Sequence, residues 1–406
     1  MRCRFCNHQL ENVFLDLGAA PPSNAFLTRD ALASVEAYFP LKLFSCAHCR
    51  LVQVDEVQSH ASLFADDYVY FSSYSPSWLK HAQTYVEQVA DRLNLGSDDL
   101  VMEIASNDGY LLQYVAAKGI PCVGVEPTAG TAAVARTKGI STIEAFFGKL
   151  FAESFVAGHR TATLIVANNV LAHVPNLNDF VAGLAVALSP AGTITIEFPH
   201  LLELVEHSQF DTVYHEHFSY FSLHTVSEIC AAHGLRIWDV ERLPTHGGSL
   251  RVWLCHAGNR SALPSVSAVL EQERTAGMLT DGYYEGFQAK ADEVKNTFLE
   301  FLLAAKREGR RVAAYGAAAK GNTLINYAGV RPDLISYVVD ANPHKQGRWL
   351  PGSRIPVVTE DHLREDRPDV VVILPWNLRE EISAQLAYVR EWGGVLATFI
   401  PSTAIS

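Results

Sequence analysis

A chain of 406 residues is longer than one hydrophobic core usually supports, so two or three domains are expected. Acidic side chains (44) outnumber basic ones (32), for a formal charge of -12; this argues against a broad basic face for nucleic acid or anionic lipid and leaves only local basic pockets. No apolar run reaches membrane-spanning length, because the stretch from Ala182 to Phe198 is broken by Ser189, Pro190 and Gly192.

The chain opens with two Cys-x-x-Cys knuckles, Cys3-Arg4-Phe5-Cys6 and Cys46-Ala47-His48-Cys49. This is the spacing by which four thiolates enclose one tetrahedral zinc, and four protein sulfurs leave no open position for water or substrate. A structural Zn2+ is therefore expected. A knuckle starting at Cys3 leaves no room for a leader, and thiolate ligands suit a reducing compartment, so the expected location is cytoplasmic. Cys122, Cys230 and Cys255 sit among apolar neighbours and read as small buried hydrophobes. The turn chemistry at residues 17 to 22 and the weak periodicity around it define a metal-stapled domain over 1–62.

A second domain, 63–270, follows as alternating helix and strand. Leu79 to Leu93 reads as an amphipathic helix, Leu100 to Ala105 as a buried strand, and a helix is expected from Tyr110. Cys122 to Glu126, Thr163 to Ala167 and Gly192 to Phe198 continue a largely parallel sheet, with Arg236 to Val240 and Ser249 to Leu254 as later strands. Glu103-Ile104-Ala105-Ser106-Asn107-Asp108-Gly109 leaves the first of these strands, where a doubly wound sheet brings backbone to a ligand. Glu126 closes the next strand and is placed to accept bonds from ribose hydroxyls. The loop lacks Gly-x-Gly-x-x-Gly and so has no bare helix terminus for a pyrophosphate; this favours S-adenosylmethionine over NAD. Asn168 and Asn169 follow the strand Thr163 to Ala167 with amides toward the same crevice, and His173 is within reach of it.

Tyr214-His215-Glu216-His217 is the densest group of proton-transfer side chains. It lacks a second histidine four residues after the first, because Ser219 stands there, so a helical pair of metal ligands is not expected. In an extended segment Tyr214 and Glu216 would face one way and His215 and His217 the other; a bend would regroup them. Leu270 to Ala305 reads as helical, with breaks at Gly277, Gly282 and Gly286. A third domain, 271–406, repeats the alternation with strands Val312 to Tyr315, Ile335 to Asp340, Val370 to Leu374 and Val395 to Ile400. Its Gly316-Ala317-Ala318-Ala319-Lys320-Gly321-Asn322 turn offers amides and a lysine to a diphosphate, and Asp340, Asn342, Lys345, Gln346 and Arg348 follow the next strand. The fold class expected is α/β: a small zinc-binding N-terminal domain, a class I, Rossmann-like methyltransferase middle domain and a second Rossmann-like C-terminal domain.

The paired knuckles, the Glu103 to Gly109 loop, the Tyr-His-Glu-His cluster and the Gly-Ala-Ala-Ala-Lys-Gly-Asn run together resemble, in order and over essentially the whole chain, the sugar C-methyltransferases that make branched-chain deoxysugars on nucleotide carriers. The resemblance implies methyl transfer from S-adenosylmethionine to C-3 of a nucleotide-linked 4-keto sugar, with zinc in the first domain and the sugar in the cleft toward the third. It also implies His217 as general base with Tyr214 and Glu216 beside it, and Tyr68 and His173 as further active-site positions. The cofactor-binding set is then Glu103, Ala105, Asn107, Gly109, Glu126, Asn168 and Asn169; the substrate-binding set is Gly316, Lys320, Asn322, Asp340, Lys345 and Arg348. The family usually has glycine where Ala105 stands. The partner is a nucleotide-linked keto-deoxysugar, with no nucleic acid and no membrane, and the chain is expected as a monomer or small homo-oligomer. Two rivals differ in class: an NAD-dependent sugar oxidoreductase, and a non-catalytic zinc-stapled protein that binds a nucleotide sugar.

Overall fold

A computed structural model describes residues 1–55 and 71–406 of the chain. The described part of the first domain builds around an antiparallel sheet in the order β1 (Asn12–Ala20), β2 (Phe39–Ser45), β3 (Val52–Val54) and β9 (Ser219–Tyr220). This sheet was not expected from the sequence. Bulges between Val13 and Leu15 and between Asp16 and Ala19 interrupt the two-residue alternation that would have announced β1. The fourth strand comes from far along the chain: Tyr220 lies opposite Val52 and Ser219 opposite Gln53, so the segment just after the histidine cluster is stitched to the cysteine-bearing segment.

The second sheet has the order β10 (Leu235–Leu243), β11 (Ser249–His256), β8 (Leu188–Pro199), β7 (Ala162–Asn168), β4 (Val101–Ile104), β5 (Cys122–Val125) and β6 (Thr142–Ile143). Strands β4 to β8 are parallel, and β11 runs against both β8 and β10. The chain winds outward from β4 through β5 and β6, then returns to the other side of β4 as β7. The winding therefore reverses between β4 and β7, and a crevice opens beyond their carboxyl ends. One wall of it is carried by the helix Pro76–Leu93, which starts with Pro76 in its first turn and Ser75 Oγ accepting from the Trp78 amide at 3.3 Å. It stops at Asn94, whose φ is 51°.

The long helical stretch is divided into Pro264–Ala276 and Phe287–Arg307, with Gly277 and Gly286 at positive φ at the two breaks. The expected domain boundary at 270/271 thus falls inside a helix, and the one at 62/63 lies outside the described residues. The third sheet has the order β14 (Val357–Val358), β13 (Val338–Val339), β12 (Val312–Tyr315), β15 (Val370–Ile373), β16 (Val395–Thr398) and β17 (Ala404–Ile405), parallel except for β17. Its winding reverses between β12 and β15. The N-terminal sheet shares an apolar core with this last domain, and Phe14 stacks on Phe287 with ring centroids 4.8 Å apart. Both reversal points consequently open onto one cleft.

Candidate active site

The two knuckles fold alike. In the first, Asn7 N–H donates to the Cys3 carbonyl at 3.0 Å and Cys3 N–H to the His8 carbonyl at 2.8 Å; in the second, Arg50 N–H donates to Cys46 and Cys46 N–H to Leu51, both at 2.9 Å. Asn7 and Arg50 take the left-handed backbone that closes each turn (φ 60° and 63°). The four sulfurs lie within 4.8 Å of one another, and two of the pairs, Cys3 with Cys49 and Cys6 with Cys46, stand at 3.5 Å. Tetrahedral zinc with Zn–S bonds near 2.3 Å spaces its sulfurs by about 3.8 Å, so the donor set fits the metal. Gln53 Nε2 donates to Cys3 Sγ at 3.3 Å and supplies an outer partner.

At the carboxyl end of β4 the loop turns through three left-handed residues, Ala105 (φ 55°), Asn107 (φ 49°) and Gly109 (φ 75°). Glu126 gathers this loop: its Oε2 accepts from Asn107 N–H and its Oε1 from Thr128 N–H, each at 2.9 Å. Across the reversal point, Asn168 and Asn169 close β7 with both side-chain amides buried and without hydrogen-bond partners among the described residues, a placement that calls for a polar ligand. Ala105, Asn107, Glu126, Asn168 and Asn169 all line one cavity of about 570 Å³. Glu103 and Gly109 do not. Glu103 is fully buried beneath the loop, where burial first and then the charges of Glu126 and Asp108 hold its carboxyl well above the usual range; Gly109 packs toward Ile140 and Ala135.

The same cavity receives Tyr214, Glu216, His217 and His173. The cluster is bent, because His217 N–H bonds the Tyr214 carbonyl at 3.0 Å, and the bend sends Tyr214, Glu216 and His217 to one side. His215 goes the other way and donates toward the carbonyls of Phe39 and Pro40 at 3.3 and 3.2 Å, tying the turn to β2. His217 Nδ1 faces the Thr212 carbonyl at 3.2 Å, which fixes the hydrogen on that nitrogen; Nε2 then accepts from the Tyr214 hydroxyl at 2.7 Å. Burial, followed by the neighbouring His173, holds His217 well below the usual imidazole range, so it is neutral at pH 7. The His173 ring meets it edge-on at 4.7 Å and its Nδ1 donates to the Glu216 carbonyl at 2.7 Å. Glu216 is buried with one oxygen accepting from Asn24 Nδ2 at 3.2 Å and the other unpartnered among the described residues, and burial raises its carboxyl above the usual value. Tyr68 lies outside the described residues.

From the C-terminal domain, Lys320 and Lys345 line the cavity. Lys345 Nζ donates to the Ala317 carbonyl at 2.8 Å, and Lys320 Nζ to Asn377 Oδ1 at 2.8 Å. Gly316, Asn322, Asp340 and Arg348 are not among the lining residues. Asp340 instead braces the loop, accepting from Ala317 and Asn342 N–H at 2.8 Å, while buried Asn322 Oδ1 accepts from Asn326. Sequence reasoning missed Asn24, Trp78, His246 and Asn377, which the fold also brings to the cavity. Of these only His246 carried a local signal, standing before Gly247-Gly248 between two strands.

Three family models match consecutive parts of the chain: a zinc binding domain over residues 3–64, a methyltransferase domain over 78–240 and a C-methyltransferase C-terminal domain over 244–401. The C-methyltransferase NovU of Streptomyces niveus is 33% identical over 404 residues, a match covering 99% of this chain and 96% of that protein. Among solved structures, magnesium protoporphyrin IX methyltransferase (ChlM) from Synechocystis PCC 6803 with bound SAH is similar over 44% of this chain and 83% of its own, at 15% identity and a TM-score of 0.36. An S-adenosylmethionine-dependent methyltransferase from Clostridium acetobutylicum ATCC 824 is similar over 44% of this chain and 92% of its own, at 10% identity and a TM-score of 0.35.

Proposed function

The chain belongs to the C-methyltransferases that join a zinc binding domain, a methyltransferase domain and a C-methyltransferase C-terminal domain, and on that premise we propose that it methylates C-3 of a nucleotide-linked 4-keto deoxysugar. When bound, S-adenosylmethionine supplies an electrophilic methyl group whose sulfur keeps the bonding pair as the new C–C bond forms. The residues that fit it are Glu126 for the ribose and the unpartnered Asn168 and Asn169 for the polar remainder, with the Ala105 to Asn107 turn along one side. The harder task is to make carbon nucleophilic, which requires removal of a proton from a C–H beside a carbonyl.

The observation that carries the reading is the Tyr214–His217 pair. With Nδ1–H fixed on Thr212, the basic lone pair of His217 points at the Tyr214 hydroxyl, and a buried imidazole held neutral is ready to take a proton. The substrate proton passes to Tyr214 Oη as the Tyr214 proton passes to His217 Nε2. His173 and the unpartnered oxygen of Glu216 orient polar groups of the sugar, and the carrier nucleotide lies against the Ala318-Ala319 backbone and Lys345. Incubation with S-adenosylmethionine and a panel of 4-keto nucleotide sugars, followed by NMR location of the new methyl, tests the proposal. A methyl on oxygen or nitrogen, or no product with any keto sugar, refutes it.

A further inference from the structure

Two groups that close the chamber toward the C-terminal domain have no part in the proton transfer above. Lys320 stands at the start of the helix Ala319–Tyr327, largely enclosed, with its Nζ on Asn377 Oδ1 and 4.7 Å from the centroid of the Trp376 ring. Among the described residues no carboxylate lies within ion-pair distance of it. The carboxyl that offsets its charge is Asp211, which is fully buried outside the cavity lining and whose Oδ2 already accepts from Trp376 Nε1 at 2.8 Å. An enclosed ammonium whose direct partner is a neutral amide is poorly compensated until an anionic group completes its shell.

His246 faces the same space from the hairpin between β10 and β11. Its ring rests near Trp78 at a centroid distance of 5.4 Å, and neither ring nitrogen has a hydrogen-bond partner among the described residues. The backbone that puts it there is unusual: His246 holds φ 55° without being glycine, and Gly247 beside it (φ 89°) lies so close to the C-terminal domain that an added Cβ would fall 2.3 Å from the Trp376 ring. An observed left-handed outlier at a ligand cavity is a reason to look for a function there. The hairpin tip and Lys320 therefore abut the same indole, which fixes their relation across the domain boundary. Lys320, His246 and His217 all line the same cavity. Burial first, then Lys320, brings His246 down to about 4, so at neutral pH it enters as an N–H donor.

We propose that Lys320 and His246 together hold the acceptor oxygen that becomes negatively charged when the neighbouring carbon is deprotonated. This rests on the reading of the reaction as alkylation next to a carbonyl. The C–H bond breaks, its proton passes to the Tyr214–His217 pair, and its electrons move onto the carbonyl oxygen, which accepts from Lys320 Nζ–H and the His246 imidazole N–H. Lys345 is left to meet the carrier diphosphate.

Hydrogen exchange isolates this step. With S-adenosylhomocysteine in place of the methyl donor, uptake of solvent deuterium at the carbon beside the keto group is followed by NMR for wild type, Lys320→Met, His246→Ala and His246→Asn. Calorimetric affinities for S-adenosylhomocysteine and for the nucleoside diphosphate alone are measured alongside; Lys320→Gln replaces the methionine variant should that one lose cofactor affinity. The expected result is exchange slowed about 100-fold in Lys320→Met and His246→Ala, part of it recovered in His246→Asn, with both affinities within about threefold of wild type. Wild-type exchange in Lys320→Met, with nucleoside diphosphate bound tenfold more weakly, would move Lys320 to the carrier and overturn the assignment alone. A wild-type enzyme that exchanges no 4-keto sugar overturns the assignment together with the reaction on which it rests.

Discussion

Stripping zinc from Cys3, Cys6, Cys46 and Cys49 should unfasten the catalytic turn while leaving the cofactor pocket intact. In small zinc-binding peptides the metal contributes about 10–16 kcal/mol, which matches or exceeds the whole net stability of a typical domain, about 5–15 kcal/mol. Collapse of the entire N-terminal sheet does not follow, because Phe14, Leu15, Leu41 and Leu43 are buried against the C-terminal core. At roughly 1.5–3 kcal/mol each, those four side chains retain about 6–12 kcal/mol of burial without the metal. The loss should therefore concentrate in the knuckles, β3 and its pairing with β9. Three ties run from there to the segment around His217: the Val52–Tyr220 and Gln53–Ser219 register, Arg4 Nη1 donating to the Val54 and Phe218 carbonyls, and Thr225 Oγ1 donating to the Cys49 carbonyl at 3.1 Å. Chelation followed by hydrogen-exchange mass spectrometry should show lost protection over residues 46–54 and 214–221. Turnover should fall by about 10²–10⁴, the usual contribution of a positioned base, while S-adenosylhomocysteine affinity changes by no more than about threefold, or 0.6 kcal/mol. A metal-free chain that turns over at the wild-type rate with the turn still protected would refute this coupling.

Gly247→Ala places a methyl against Trp376 and forces alanine into a left-handed backbone, so it should cost about 1–3 kcal/mol in thermal unfolding and raise KM for the sugar without changing cofactor affinity. Glu197 is fully buried; burial pushes its carboxyl up, but the bond from His81 and the charge of Arg251 outweigh that and leave it below the usual value. Glu197→Gln leaves buried Arg251 with Glu241 Oε2, 2.7 Å from its Nη1, as the remaining carboxylate partner and should lower stability by about 1–3 kcal/mol; in the wild type this contribution is present above the ordinary carboxylate value and is lost as pH falls through the depressed one. Because His217 is held well below 6.5, kcat/KM should stay level from neutrality down past pH 6.5 and fall only at lower pH; an acidic limb at or above 6.5 would remove His217 as the proton acceptor. For His246 the folded value of about 4 lies below the unfolded one, so stability should decline as pH drops from about 6.5 toward 4, and His246→Asn should lessen that decline. Asn168→Ala should weaken S-adenosylhomocysteine binding about tenfold in calorimetry, the loss of one hydrogen-bonding partner of about 1.4 kcal/mol.

The elements most legible in the sequence were those whose pattern is local. The buried strand β12 falls on the predicted residues, and Gly277 closes one helix and Gly286 opens the next where their lack of a side chain allows positive φ. The knuckles were readable because a metal site fixes spacing more tightly than packing does. Strands β3, β6, β9, β14 and β17 have two or three residues each, too few for any period to show, and are held by their neighbours, whereas β13 is the two-residue centre of the strand expected over Ile335 to Asp340. At the site, residues that leave strand ends were visible for the same reason as the strands: Glu126, Asn168 and Asn169 reach the cavity because β5 and β7 do. The histidine cluster gave its chemistry but not its geometry. Which of Tyr214, His215, Glu216 and His217 face inward is decided by the hydrogen bond of the bend and by β2 accepting His215, a partner more than 170 residues away.

The same long-range logic explains why the chamber takes residues from all three parts of the chain. A carbon acid beside a carbonyl needs a neutral base and a donor for the oxygen close together, yet a cation near the base makes protonating it harder, as Lys320 does to His217. Placing the two on one rigid segment would leave that opposition fixed whether or not substrate is present. Here His217, the proposed base, sits on a turn tied to the cysteine-bearing segment, and the lysine sits on a separate domain, with the His246 hairpin pressed between them against Trp376. Burial and His173 do most to keep the imidazole unprotonated, and Lys320 adds to them; substrate charge arriving between Lys320 and His217 would offset that added part, so proton uptake by His217 becomes easier as the oxygen charge develops. Zinc held by the four cysteines would then have a physical role without an open coordination position: it would fix the far end of a pairing that holds His217, the base of the proposed reaction, at its distance from a lysine belonging to another domain.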